Sequence, residues 1–183
     1  MTRGPVRTDR LLLRPFADSD VDAVFELHND PEVMRFVNGG RPIGIGEIRD
    51  RTVPAFLDYD RTGSGYGYWA AVERATDAFV GWFELVPRGS DVELGYRLRA
   101  SAWGRGYATE GSRALIHLAF DELGAQRVVA TAMAVNSASR RVLEKLGMTH
   151  VETVHRLWPE TIEDSEHGDV EYALSRGSRS PSA

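Results

Sequence analysis

Apolar positions along the chain change their period several times, and each change marks an element. Leu11, Leu12 and Leu13 lie in a run over 8–16 that Pro15 closes, which predicts a strand. Asp18, Ser19 and Asp20 then offer N-caps for a helix carrying Val21, Val24, Phe25 and His28 on one face, stopped at Asn29-Asp30-Pro31. A second helical stretch over 46–59 holds Ile48, Val53, Phe56 and Leu57 and is expected to break near Pro54. Between the two helices, 36–42 is rich in Gly and Pro and reads as a loop, either a lid or a connector.

Three β-like runs follow at 66–73, 78–87 and 91–99, parted by turn signals at 74–77 and 88–90, so an antiparallel meander is expected. Beyond it the period lengthens. Leu115, Leu118, Ala119 and Phe120 give a helix over 106–123 that ends at Gly124. A buried strand is expected over 127–134, a helix over 136–146, and closing strands over 148–158 and 169–175. The sum is an α+β domain on a single mixed, mostly antiparallel sheet flanked by helices.

Composition narrows the chemistry. A chain of 183 residues, 42% apolar, suits one domain and needs no covalent staple. With 0 cysteines, thiolate nucleophiles, thiolate metal sites and disulfides are excluded. Lys145 is the one lysine among 22 basic residues and sits in Leu-Glu-Lys-Leu, so a phosphate loop of the GxxxxGK[ST] kind is impossible. A net charge of −5 disfavours a general nucleic-acid binder, the arginines being scattered. No apolar run is long enough for a membrane span and the first residues lack a secretory core, so a cytoplasmic protein is expected. His28, His117, His150, His155 and His167 show no ligand spacing, and no metal is expected.

The most informative stretch is 92–110, where a strand enters a turn holding Gly104 and Gly106 and passes directly into a helix. Small residues there let a ligand approach the backbone, and the unpaired N–H groups of a helix start favour an anion such as a pyrophosphate. Arg105 is expected to add a charged donor. Gly104-Arg-Gly106-Tyr-Ala-Thr109 fails the dinucleotide pattern GxGxxG at its last position and follows a meander, not a βαβ unit. About thirty residues on, Asn136 follows a buried strand and opens the next helix, which ends in Lys-Leu-Gly-Met.

Trp-Gly-Arg-Gly-Tyr-Ala-Thr-Glu with Asn-Ser-Ala-Ser-Arg-Arg-Val-Leu-Glu-Lys-Leu-Gly-Met resembles the GNAT superfamily of acyl-CoA N-acyltransferases, and most of all its branch of RimJ/RimL ribosomal-protein N-terminal acetyltransferases. The opening Thr-Asp-Arg-Leu-Leu-Leu-Arg-Pro-Phe and closing His-Gly-Asp-Val-Glu-Tyr-Ala-Leu resemble that branch too. The likeness covers 8–175, leaving 1–7 as an extension and 176–183 as an expected disordered tail. Trp103 stands where the superfamily often has Arg or Gln, and tryptophan there is usual in the branch.

The resemblance implies acetyl-CoA as cosubstrate, its pyrophosphate held by the backbone of Gly104, Arg105, Gly106, Tyr107, Ala108 and Thr109. Leu98 and Arg99 would pair their backbone with the pantetheine arm, and Asn136 would touch that arm or hold the strands apart. An ammonium acceptor must lose a proton before it attacks, so a base is needed. Glu93, on the strand leading to the turn, is the first choice, with Glu84 and Glu152 in reserve. Ser139 is the candidate proton donor to the leaving thiolate. Glu110 reads as a structural first-turn carboxylate, and His155 and Trp158 as possible walls of the acceptor pocket.

The acceptor that the resemblance implies is a primary amine, either a protein α-amine or a small molecule. Asp58, Asp60, Glu73 and Glu84 are candidates to attract a cation, and pocket arginines could select a succinyl chain in place of acetyl. The competing class is a CoA-binding regulator without turnover. A homodimer is hinted at by the family alone.

Overall fold

The computed structural model describes residues 4–155 and 162–178. Its eight-stranded sheet runs in the order β1-β2-β3-β4-β5-β6-β8-β7. These are β1 (Val6–Arg7), β2 (Leu11–Arg14), β3 (Gly67–Glu73), β4 (Phe79–Arg88), β5 (Asp91–Leu98), β6 (Arg127–Met133), β7 (Thr149–Val154) and β8 (Asp169–Ser175). Every pairing is antiparallel except β5 with β6, which is parallel because a helix bridges them. The meander predicted over 66–99 is present as β3, β4 and β5. Within the expected N-terminal extension, Val6 and Arg7 pair with Leu13 and Leu12. At the other end the Arg176 N–H bonds to Gln126 O at 2.9 Å, and residues 179–183 lie outside the described part of the chain.

The helices divide between the two faces. On one lie α1 (Val21–His28), α2 (Pro31–Asn38), α3 (Ile45–Glu47) and α4 (Val53–Thr62); on the other lie α5 (Tyr107–His117) and α6 (Ser137–Lys145). Strand alternation produces this division. Leu85, Leu94, Leu98, Val128, Ala130 and Ala132 face the α5 side with Leu115, Ile116 and Leu143, while Ala70 and Trp82 face Val24, Leu27 and Phe56. A Cβ on Gly111 would stand 2.4 Å from the Phe83 ring, so this glycine is what lets α5 lie so close to the sheet.

Two expectations fail for the same reason, a proline read as a stop. The loop expected over 36–42 is helical as far as Asn38: Pro31 opens α2, and Asp30 caps it by accepting from the N–H groups of Glu32 at 3.0 Å and Val33 at 3.4 Å. A proline costs nothing at a first helical position, where its missing N–H had no partner to lose. Pro54 likewise does not end its helix. A wide turn over Ile48–Thr52 joins α3 to α4 and places Pro54 in the first turn of α4.

Candidate active site

β5 and β6 are hydrogen-bonded neighbours only at Val92↔Val128 and Glu93↔Val129; beyond these pairs they diverge. β4 follows β5 to Leu98, and β8 follows β6 to Met133, so each strand stays anchored on its outer side while a gap opens between them. A cavity of about 660 Å³ occupies it. Tyr96, Leu98 and Ala132 line it from the α5 side, and Arg97, Thr131, Met133 and Asp169 belong to the opposite face, so the cavity passes through the sheet.

The α5-side mouth is built from backbone. Gly104 and Gly106 have φ of +71° and +81°, and a Cβ on Gly104 would meet nothing within 4 Å. The first helical bond of α5 runs from Glu110 N–H to Gly106 O at 3.0 Å. The amides of Tyr107, Ala108 and Thr109 therefore have no helical acceptor and open on the cavity their residues line. Glu110 fixes this helix start: it accepts from Thr8 Oγ1 at 2.6 Å, Arg10 N–H at 2.8 Å and Arg10 Nε at 2.7 Å. That is the structural part expected of it. These contacts and the Arg10 ion pair hold its carboxyl below the usual range, more than offsetting its burial.

Not every residue expected here serves the mouth. Arg105 does not line the cavity; its guanidinium is committed to Glu73 and lies over the Tyr107 ring, 4.7 Å from its centre. Glu73 is thereby removed from any acceptor role. Its hydrogen bonds from Thr76 and Tyr107, and the Arg105 charge, lower its pKa to about 2. Arg99 is also displaced, because its N–H donates to Val80 O at 2.9 Å and so faces β4 rather than the gap. By alternation the backbone groups of Leu98 and Tyr96 face the gap. The Leu98 carbonyl accepts there from the Trp103 indole at 3.0 Å.

On the β6 side, Asn136 caps α6 by accepting from Ser139 N–H at 3.1 Å. Ser139 Oγ lies 3.0 Å from Tyr96 Oη, so two hydroxyls bridge the gap where β5 and α6 come together. Burial raises the Tyr96 phenol, and the Ser139 contact offsets this in part. Ala138, Arg141, Val142 and Lys145 form one stripe of α6 along the cavity. Sequence reasoning missed its two cations, although their spacing from Ala138 is that of one helical face.

The opposite mouth is built from side chains. Glu84 lies flat across β5 where Gly95 leaves room: a Cβ there would stand 2.2 Å from Glu84 Oε1. Burial raises the Glu84 pKa, and the nearby Glu93 raises it further, against a hydrogen bond from Tyr68 and the Arg97 charge. Glu93 itself is level with Val129, where the strands are still bonded, and approaches Arg88 at 4.0 Å. Neither carboxylate lines the cavity. Glu152 is exposed on β7, with β8 between it and β6. Asp58 pairs with Arg61, and neither Asp58 nor Asp60 lines the cavity. His155 is exposed and away from the lining, while Trp158 lies outside the described residues.

Residues 10–149 match the acetyltransferase (GNAT) domain. The chain belongs to the GNAT acetyltransferase family. It is 35% identical to the FsC-acetyl coenzyme A-N(2)-transacetylase of Aspergillus fumigatus, covering 93% of this chain and 76% of that one. It is 34% identical to the uncharacterized protein YkkB of Bacillus subtilis, over 85% of this chain and 90% of the relative. Among solved structures, a GNAT-family acetyltransferase from Bacillus anthracis superposes with a TM-score of 0.79 at 23% identity, covering 94% and 99% of the two chains. The ribosomal L7/L12 acetyltransferase RimL, solved with coenzyme A, superposes at 0.76 with 20% identity, covering 93% and 97%. Such identities establish the shared fold. The GNAT chain is thus an acyl-CoA-dependent N-acyltransferase. No helix among the described residues is long and apolar enough to cross a membrane.

Proposed function

We propose that the protein transfers the acetyl group of acetyl-CoA directly to a primary amine, the two substrates meeting from opposite faces of the sheet. The observation that carries this reading is the gap between β5 and β6, with free helix amides at one mouth and titratable side chains at the other. The pyrophosphate fits the amides of Tyr107, Ala108 and Thr109, with Arg141 and Lys145 supplying positive charge along α6. The gap-facing backbone of Tyr96 and the Leu98 N–H are available to the pantetheine arm, the Leu98 carbonyl being held by the Trp103 indole, and Asn136 fixes the α6 side of the gap. Acetyl-CoA supplies an activated acyl group, so no covalent enzyme intermediate is required.

On the other face, Glu84 is the base we favour, reached through solvent in the gap. Its raised pKa brings a carboxyl nearer the working pH, and Gly95 clears its path. Glu93 tunes it by its negative charge. Ser139 and Tyr96 are the proton donors for the departing thiolate, since both line the cavity and share a hydrogen bond. The acceptor is a small amine or a protein α-amine; the relative named for N(2) acetylation favours the former.

Thermal unfolding with and without acetyl-CoA tests this reading, with NADH and ATP as controls. At ~100 times Kd the ligand adds about 2.7 kcal/mol. A rise with acetyl-CoA alone is expected; a rise shared by all three, or none, overturns the assignment.

A further inference from the structure

One charged group in the cavity is used neither by acetyl-CoA nor by proton transfer. Arg97 lies on β5 where the gap is open, directed to the α1 face, and lines the cavity. Its Nη1 donates to His28 Nε2 at 2.8 Å, an atom that the Trp82 indole also approaches at 3.2 Å. The guanidinium carbon lies 4.9 Å from the centre of the Trp82 ring. None of these neighbours is an anion. His28 is neutral at ordinary pH, its pKa pushed down to about 3 by burial and then by Arg97.

Other arginines of this chain are treated differently. Arg10, Arg14, Arg88, Arg99, Arg105 and Arg127 each ion-pair with a carboxylate, although they range up to half exposed. Arg97 is shielded enough that burial pulls its pKa down to about 10, yet no described carboxylate stands within ion-pairing distance. Glu84 reaches it only through the field between neighbouring strands. Shielded cations without a partner are disfavoured in a folded protein. A guanidinium kept there, with one donor spent on a neutral imidazole and others to spare, is suited to an anion that arrives with the ligand.

We propose that Arg97 selects for a carboxylate on the ligand that enters the α1-side mouth. The carboxylate belongs either to the amine acceptor, making it an amino acid or related zwitterion, or to the acyl group, making the donor a succinyl-type thioester. This rests on the acyltransferase reading of the same cavity and specifies its substrate class. Glu32 also lines the cavity, so an ammonium group entering beside the carboxylate meets negative charge.

Calorimetry on the full-length protein separates the two sources. In the donor arm, acetyl-CoA and succinyl-CoA are titrated separately. In the acceptor arm, phenylalanine against phenethylamine and lysine against 1,5-diaminopentane are titrated into protein saturated with CoA. The carboxylated member of one arm is expected to bind at least ~10-fold more tightly, as a charge-assisted hydrogen bond does. That preference should vanish in Arg97→Met and survive in reduced form in Arg97→Lys, which keeps the charge without the fork. Equal binding of both members in both arms, no binding of any amine or of succinyl-CoA, or a preference that persists in Arg97→Met overturns the proposal. If Arg97→Met does not fold, loss of at least half the discrimination in Arg97→Lys is the criterion. Should neither thioester bind, the acyltransferase reading itself fails; should acetyl-CoA bind while every preference is absent, only this proposal does.

Discussion

The two mouths of the cavity are made by different means. The α5-side mouth depends on backbone amides and on glycines at positive φ, so its chemistry follows from a few neighbouring residues. The α1-side mouth depends on side chains from separate elements: Arg97 on β5, Asp169 on β8 and Glu32 on α2 line it, and Glu84 on β4 lies against Gly95 outside the lining. A backbone site binds one ligand type and tolerates little change in the chain that makes it. A side-chain site can be rebuilt one residue at a time while the sheet stays the same. The first therefore marks the family, and the second sets what this member acts on.

The comparison is broken most severely by placing charge at the backbone mouth. Thr109 is the third residue of α5 and lines the cavity, a position where a carboxylate complements the helix dipole. Thr109→Glu should keep or slightly raise the melting temperature. It should weaken acetyl-CoA by at least ~100-fold, because a like charge about 5 Å from a phosphate costs about 3 kcal/mol at an effective dielectric of 20. Calorimetry against acetyl-CoA, alongside a melting curve, checks both halves. Unchanged affinity would move the pyrophosphate away from α5.

This contrast also explains what could be read from the chain alone. Gly104, Gly106 and Asn136 announce themselves because each is tied to a local feature: a turn, a left-handed backbone or a cap. The meander and both α5-side helices were visible in their periods for the same reason. Glu84 was readable only as a reserve behind Glu93, and Arg97 was not singled out, because their positions depend on strand register and on one absent Cβ at Gly95. Helix α2 was lost because Asp30-Pro31 ends one helix and begins another, and the cap that distinguishes the two is a hydrogen bond rather than a residue type. Arg105 misled in the opposite sense. It sits in the motif, but Glu73, far off in sequence, holds its side chain.

The next test removes the base from the side-chain mouth without touching the backbone mouth. Glu84→Gln should lower kcat by about 100-fold while leaving acetyl-CoA affinity unchanged. Stability should not suffer. Burial raises the pKa of this carboxyl, so the stability it contributes is present below its unfolded pKa and lost as pH rises through the folded value. Above that value its ionised form opposes folding, and a neutral amide does not. Initial rates by thiol release, with melting curves at pH 7, decide the matter. Full activity in this variant would remove Glu84 from the chemistry.

The smallest effect separates the two neighbouring glutamates. Glu93 raises the Glu84 pKa through its charge, and the Arg88 guanidinium 4.0 Å away tempers that charge. If Glu84 is the base, activity requires its ionised form, and the acidic limb of kcat/KM follows its pKa in the free enzyme. Glu93→Gln deletes a like charge, so ionising Glu84 becomes easier and the limb moves to lower pH. The shift should be small, since burial and not Glu93 is the larger cause of the raised Glu84 pKa. The plateau rate should stay within a fewfold of the parent. A pH profile from 5 to 9 with saturating acetyl-CoA reads both quantities. A plateau as low as that of Glu84→Gln would instead make Glu93 the base, as its place on the strand leading to the turn first suggests. The limb moving to higher pH would mean that Glu93 acts on Glu84 through Arg88, by holding that cation near it, rather than through its own field.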